Sequence, residues 1–238
     1  YFPQGFIYDV GGMSFFPKVN YKILLGLLNL EAYAKLINAI NPSLNLQLGD
    51  VINLPFDPNF KDEKFIANVS SLIELTVHDW NAYESSWDFK RASLLVNEYR
   101  KPQIEQNYSV LLQVWKNQTE EVQRLEQENN KVFIEAYGLA DELIPDVPLK
   151  EITLTCNPYY RYGGEATEEQ LEQRLQSDTI AELISYAIGC MMGRYSLDRE
   201  GLVYAHEGNV GFDELVAEGA YKTFPADEDG ILPLLDEE

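Results

Sequence analysis

Residues 103–137, QIEQNYSVLLQVWKNQTEEVQRLEQENNKVFIEAY, decide the fold. Tyr108, Leu111, Trp115, Gln118, Val122, Leu125, Asn129, Val132 and Ala136 step by alternating threes and fours. That spacing is a heptad seam with two polar insertions. Pro102 suits the first turn of such a helix, and Gly138 suits its C-terminal cap. At 1.5 Å per residue, Gln103 to Tyr137 makes a rod of about 50 Å. A helix this long must pack against a partner or bridge two bodies.

The glycines frame this segment. Five lie in residues 1–49, ten lie at 138 or beyond, and none falls between Gly49 and Gly138. Strand-and-turn proteins need glycine for tight turns, so the middle of the chain reads as helical. Residues 61–90 read as a further helix carrying Phe65, Val69, Leu72, Ile73 and Trp80. Downstream, Thr167-Glu-Glu-Gln170 fits a capping box. Ile180, Leu183, Ile184, Ala187, Ile188, Met191 and Met192 then form a dense apolar stripe, the expected core face of the helix. Gly189 and Gly193, four apart, would let another helix approach closely.

The first sixty residues read as strand, helix, strand. Phe6 to Val10 is strand-like and stops at Gly11-Gly12; Tyr21 to Ile40 is helical and stops at Pro42. Leu44-Asn-Leu-Gln-Leu48 alternates as a half-buried strand does, and Val51 to Leu54 continues it. The expected fold class is therefore mainly α with a small β portion (α+β). It has a short N-terminal sheet, a long spacer helix with a heptad seam, and a C-terminal helical cluster. The expected divisions are 1–60, 61–150 with the long helix at about 103–137, and 151–238 with an acidic tail.

Composition narrows function. The 238 residues are 45% hydrophobic and 12% aromatic, with a net charge of −21, which suits a globular protein and argues against disorder. The net charges of residues 1–60, 61–150, 151–200 and 201–238 are −1, −6, −5 and −9. Taken whole, such a chain is a poor autonomous DNA binder, because phosphate contact wants a basic face. Any such contact belongs to the near-neutral N-terminal part. Lys18, Lys22, Lys90, Arg91 and Arg161 are the candidate DNA-binding residues, with Arg100 a further cation. No apolar run reaches the roughly 18–20 residues that span a bilayer. Two cysteines without a Cys-x-x-Cys pair, and two distant histidines, argue against a disulfide scaffold and a structural zinc site. They suit a reducing cytoplasm.

Asn157-Pro158-Tyr159-Tyr160 is the one stretch that invites a catalytic reading. Adenine-N6 methyltransferases place [D/N/S]-P-P-[Y/F/W] after a strand, where the polar group and a carbonyl hold the exocyclic amine of a flipped base. Ile152-Thr-Leu-Thr-Cys156 is strand-like and precedes it. The third position, however, is Tyr instead of Pro, and no Gly-rich strand-to-helix turn lies upstream. These four residues therefore read as a structural loop. His78 and His206 lack the context of a catalytic set.

Four stretches carry a family resemblance. Asp79-Trp-Asn-Ala-Tyr-Glu-Ser-Ser-Trp-Asp-Phe89 resembles the D-W-x₃-E-x-S-W-D-F block of large adenine-specific DNA methyltransferases of the type IIG and bacteriophage-exclusion (BREX) groups. Leu125 to Leu143, with Pro145-Asp-Val147, is similar to their helix-end block. Ile184 to Asp198 resembles a block of the BREX PglX group, and Ile40 to Asp50 resembles the end of a target-recognition domain. The Asn129-Asn130 pair departs from the pattern, which has an acidic residue followed by an apolar one, and is expected to loosen the seam locally.

The resemblance implies a parent enzyme that binds S-adenosylmethionine, flips adenine from duplex DNA and methylates N6 in phage defence. Its cofactor and catalytic motifs would lie N-terminal to Tyr1. This chain would then be a C-terminal piece with no catalytic, cofactor-binding or metal residue of its own. It would complete a target-recognition domain and add a helical domain that holds DNA or other BREX proteins. Two alternatives are a docking platform for defence components, with the acidic C-terminal surface as the contact, and an acidic DNA mimic.

Overall fold

The computed structural model describes residues 14–43, 47–57, 60–204, 208 and 211–227. Eight α-helices are formed among them: α1 (Tyr21–Leu28), α2 (Glu31–Ile40), α3 (Leu48–Ile52), α4 (Glu63–Asn81), α5 (Ile104–Ala136), α6 (Pro158–Tyr162), α7 (Glu168–Met191) and α8 (Phe212–Ala217). The expected sheet is a correction: no strand occurs among the described residues. Phe6–Val10 and residues 44–46 lie outside them. From Gln47 the backbone turns into α3, because the Asp50 carboxylate accepts the Gln47 N–H at 2.8 Å and caps the helix start. The alternation at 44–48 thus runs into a helix cap, and a reciprocal cap competes well with a solitary strand that lacks a partner.

The described residues group into two compact units. The first takes residues up to 76 together with 118–152, and the second takes 77–117 and those from 153 onward. Residues of α4 and α5 are therefore shared between both.

In the first unit, the expected helix 21–40 is two helices. Asn29 ends α1, its side-chain amide donating to the Leu25 carbonyl at 2.8 Å, and Leu30 is extended as the cap of α2. The core is Ile23, Leu27, Leu30, Tyr33, Val51, Leu54, Phe65, Val69 and Phe133. The Phe133 ring meets Tyr33 edge-on at 5.3 Å and stacks on Tyr137 at 4.3 Å. The heptad seam finds its partner here. Gln118 donates to the Leu75 carbonyl at 3.0 Å, and Asn68 donates to Asn129 Oδ1 at 3.1 Å. Residue numbers rise on α5 as they fall on α4, so the two segments run antiparallel. Both polar insertions of the seam are thus hydrogen-bonded across the pair. Asn130 also donates, to the Pro145 carbonyl at 3.0 Å, so the Asn-Asn departure ties the seam down where loosening was expected.

The end of α5 is as the sequence predicts. Gly138 has φ +66°, and Leu139 N–H bonds to the Ile134 carbonyl at 2.9 Å, the Schellman arrangement that a glycine at this position permits.

In the second unit, the Thr167–Gln170 capping box opens α7 as expected. The buried face of α7 is Leu171, Leu175, Thr179, Tyr186 and Cys190. Of the expected stripe, Ile184, Ile188 and Met192 are instead 55%, 43% and 51% exposed. Tyr186 draws its side of the helix inward by stacking on Tyr195 at 5.1 Å and meeting Phe89 edge-on at 5.9 Å. No second helix sits on Gly189. The Tyr195 ring lies where its Cβ would be, 2.6 Å away, because the chain turns back after α7. A second cluster joins Val203, Leu215, Ala220 and Tyr221. No single helix among the described residues is long and apolar enough to cross a membrane.

Candidate functional site

The Asp79–Phe89 stretch forms the end of α4 and the irregular segment after it. Asp79 is 6% exposed. Its Oδ1 accepts the Cys156 N–H at 3.0 Å and its Oδ2 accepts the Thr155 N–H at 2.6 Å. This explains why the alternating residues 152–156 form no strand: a carboxylate satisfies the two donors that a neighbouring strand would otherwise take. Ser86 is buried, donates to Asn81 at 2.6 Å and accepts from the Asp88 N–H at 3.1 Å. Phe89 enters the core with Tyr186 and Tyr195. Trp87 points the other way and is 94% exposed.

This stretch also walls a cavity of about 380 Å³, with Trp80, Tyr83, Glu84 and Phe89 on one side and Thr155, Arg161, Thr179 and Glu182 on the other. That volume is in the range of roughly 300–1,000 Å³ typical of ligand pockets. Arg161 comes from α6 and holds Glu182 of α7 at 2.8 Å and Asp178 at 3.6 Å. Its guanidinium lies 5.5 Å from the centre of the Tyr83 ring. Three buried side-chain atoms among the described residues have no hydrogen-bond partner: Tyr83 Oη, Glu84 Oε1 and Arg161 Nη1. All three belong to residues lining this cavity. An unsatisfied buried polar atom costs about 1–3 kcal/mol, so their concentration at one place calls for a physical account. Burial pushes the Tyr83 phenol well above its ordinary value, with Asp79 adding to the effect. Burial likewise raises Glu182, although Arg161 pulls it back.

Asn157-Pro158-Tyr159-Tyr160 is the start of α6. Asn157 is 0% exposed, and its Oδ1 accepts the Tyr159 N–H at 3.2 Å. Pro158 occupies the first turn, where its missing N–H costs nothing. The arrangement is a helix cap, and its amide is spent on the chain itself.

The cationic candidates are dispersed. In the first unit, Lys18 is exposed and Lys22 donates to Ser70 Oγ at 2.7 Å. In the second, Lys90 pairs with Glu200 at 3.1 Å, Arg91 donates to the Leu197 carbonyl at 3.2 Å, and Arg161 is held by its carboxylates. His78 is exposed at the end of α4, while His206 and Gly11-Gly12 lie outside the described residues. Cys156 and Cys190 are buried and form no disulfide. No cluster of three or more metal-ligating side chains occurs among the described residues. The cavity had no sequence signal of its own. Arg161 stood out only as a cation, and Tyr83 and Glu84 only as members of a block.

No family model matches the chain. Two curated relatives do. The chain is 42% identical over 242 residues to the adenine-specific methyltransferase BrxX of Escherichia coli O9:H4 (strain HS), and 30% identical over 247 residues to the adenine-specific methyltransferase PglX of Lacticaseibacillus casei (strain Zhang). Each match takes in 100% of this chain but only 19% and 18% of the relative.

Proposed function

We propose that this chain, which corresponds to about a fifth of the length of the BrxX and PglX methyltransferases it matches, is a non-catalytic C-terminal part of a BREX adenine-specific methyltransferase. Its work is recognition and scaffolding: it holds DNA against a catalytic domain contributed by the rest of the polypeptide. That domain binds S-adenosylmethionine and methylates adenine in duplex DNA, in the cytoplasm.

The observation that carries the non-catalytic reading is the Asn157 side chain. It is the group best suited by sequence to hold an adenine amine, and it is buried as the cap of α6. A scaffolding role is supported by the antiparallel pairing of α4 and α5, whose polar contacts fix their register. The test is removal of this segment from the parent enzyme. S-adenosylmethionine binding should persist while affinity for the methylated site falls at least tenfold. Unchanged DNA affinity, or lost cofactor binding, contradicts the reading.

A second reading, docking of other BREX proteins, is favoured by α7. Ile184, Ile188 and Met192 recur every four residues and are all exposed, and so form an apolar strip of the kind that marks protein contacts. Ile184→Lys with Ile188→Lys should abolish capture of BREX partners while leaving the fold intact. Capture that survives both changes removes this reading.

A further inference from the structure

We propose that Trp87 is the anchor by which this segment docks onto the rest of its own polypeptide, in an apolar pocket with basic side chains at its rim. The inference rests on the reading above that the chain is part of a longer methyltransferase. The indole is 94% exposed, although Ser86 before it and Phe89 after it are buried. It is also presented on a closed turn. The Ser86 N–H bonds to the Tyr83 carbonyl at 2.9 Å, and the Phe89 N–H to the Ser86 carbonyl at 3.3 Å. Ser86 Oγ accepts the Asp88 N–H at 3.1 Å, and the Phe89 ring meets Tyr195 edge-on at 5.4 Å. A side chain on a backbone already fixed in this way loses little freedom on docking, and tryptophan is prominent among the residues that dominate interfaces.

Charge decides against nucleic acid as the occupant. The unit that carries Trp87, residues 77–117 and 153–238, has 23 Asp and Glu against 10 Lys and Arg, an excess that repels phosphate. Asp88, beside the indole, is exposed. Lys90 is paired with Glu200 at 3.1 Å, and Arg91 is turned to the Leu197 carbonyl at 3.2 Å. Area decides between a tethered and a free protein. A buried tryptophan contributes about 150–250 Å², far below the roughly 1,200–2,000 Å² of a stable complex between separate chains. A covalently joined partner needs less, because tethering gives an effective concentration on the order of millimolar. Such a partner is available: about four-fifths of the length of the BrxX and PglX relatives lies outside the part that this chain matches. Its pocket accepts the indole N–H, which can only donate, and sets cations opposite Asp88.

The test is hydroxyl-radical footprinting of the full-length parent enzyme, read at Trp87 by mass spectrometry. Without DNA or other proteins present, Trp87 should be oxidised at least fivefold more slowly in the enzyme than in a synthetic peptide of residues 83–91. Trp87→Ala removes a side chain that the fold of this segment leaves uncovered, so the variant should fold. In it, at least one peptide from outside this segment should gain twofold or more in oxidation, and Trp87→Phe should give a smaller gain. The proposal is overturned if Trp87 is oxidised as fast as in the peptide, or if Trp87→Ala uncovers nothing outside this segment. Protection that appears only with DNA, with another BREX protein or at raised enzyme concentration also overturns it, because each names a different occupant. The recognition reading is tested separately, by DNA affinity after removal of the segment. An open Trp87 in a parent whose DNA affinity still depends on the segment sinks the docking inference alone.

Discussion

The carboxylate of Asp79 accepts the backbone N–H of Cys156 at 3.0 Å, across 77 residues of chain. With Thr155 it takes two consecutive amides, fixing the peptide that leads into the Asn157 cap against the end of α4. The first residue of the family-like block 79–89 therefore serves the backbone of a distant segment and leaves the chemistry of the cavity to Tyr83 and Glu84.

Asp79→Ala should leave two amides of residues 155 and 156 without acceptors. Hydrogen bonds to charged groups contribute about 1.5–3 kcal/mol each, so a loss of about 2–4 kcal/mol is expected in urea unfolding. Asp79→Asn keeps one acceptor and should lose less. Equal stability of all three proteins would show that the clamp is idle.

Asn68 and Asn129 should be energetically coupled. Each is buried, and together they bridge α4 and α5 at 3.1 Å. A double-mutant cycle with alanine should give a coupling of about 0.5–2 kcal/mol. Additive effects would mean that the contact does not set the register of the pair.

Burial pushes the Glu126 carboxyl, on α5, from about 4.5 up to about 7, and nearby Glu151 adds to the rise. Between those values the folded chain retains a proton that the unfolded chain releases, so stability falls as pH rises through that window. Glu126→Gln removes this dependence. The variant should be more stable than the parent chain at pH 8 by about 1–3 kcal/mol, with the gap closing toward pH 4.5. A gap that is constant with pH would refute the assignment. Chemical denaturation at several pH values reads it directly.

Where one segment carries its own signal, the sequence is legible almost to the residue. The seam of α5 as far as Asn129, its Gly138 terminator and the Thr167 capping box depend on local spacing and form as predicted, whereas beyond Asn129 burial passes to Phe133 and Ile134 and Ala136 is left exposed. The failures come from distant partners. Ile152–Cys156 has strand-like alternation, yet Asp79 supplies its hydrogen bonds. The apolar stripe of α7 has helical spacing, yet Tyr186 and Cys190 turn toward Phe89 and Tyr195, leaving Ile184 and Ile188 outside. Periodicity identifies the helix but cannot choose between two apolar faces when the deciding aromatics lie in another segment. The cavity was illegible for the same reason, since its lining comes from the segment after α4, from α6 and from α7, which are far apart in sequence.

The central claim is that this segment positions and does not transfer. The most direct measurement incubates the purified 238-residue chain with duplex DNA carrying the parent enzyme's site and methyl-labelled S-adenosylmethionine, beside the full-length parent. The account predicts label in DNA from the parent and none above background from the segment. Sequence-dependent methylation of adenine by the segment alone would contradict it.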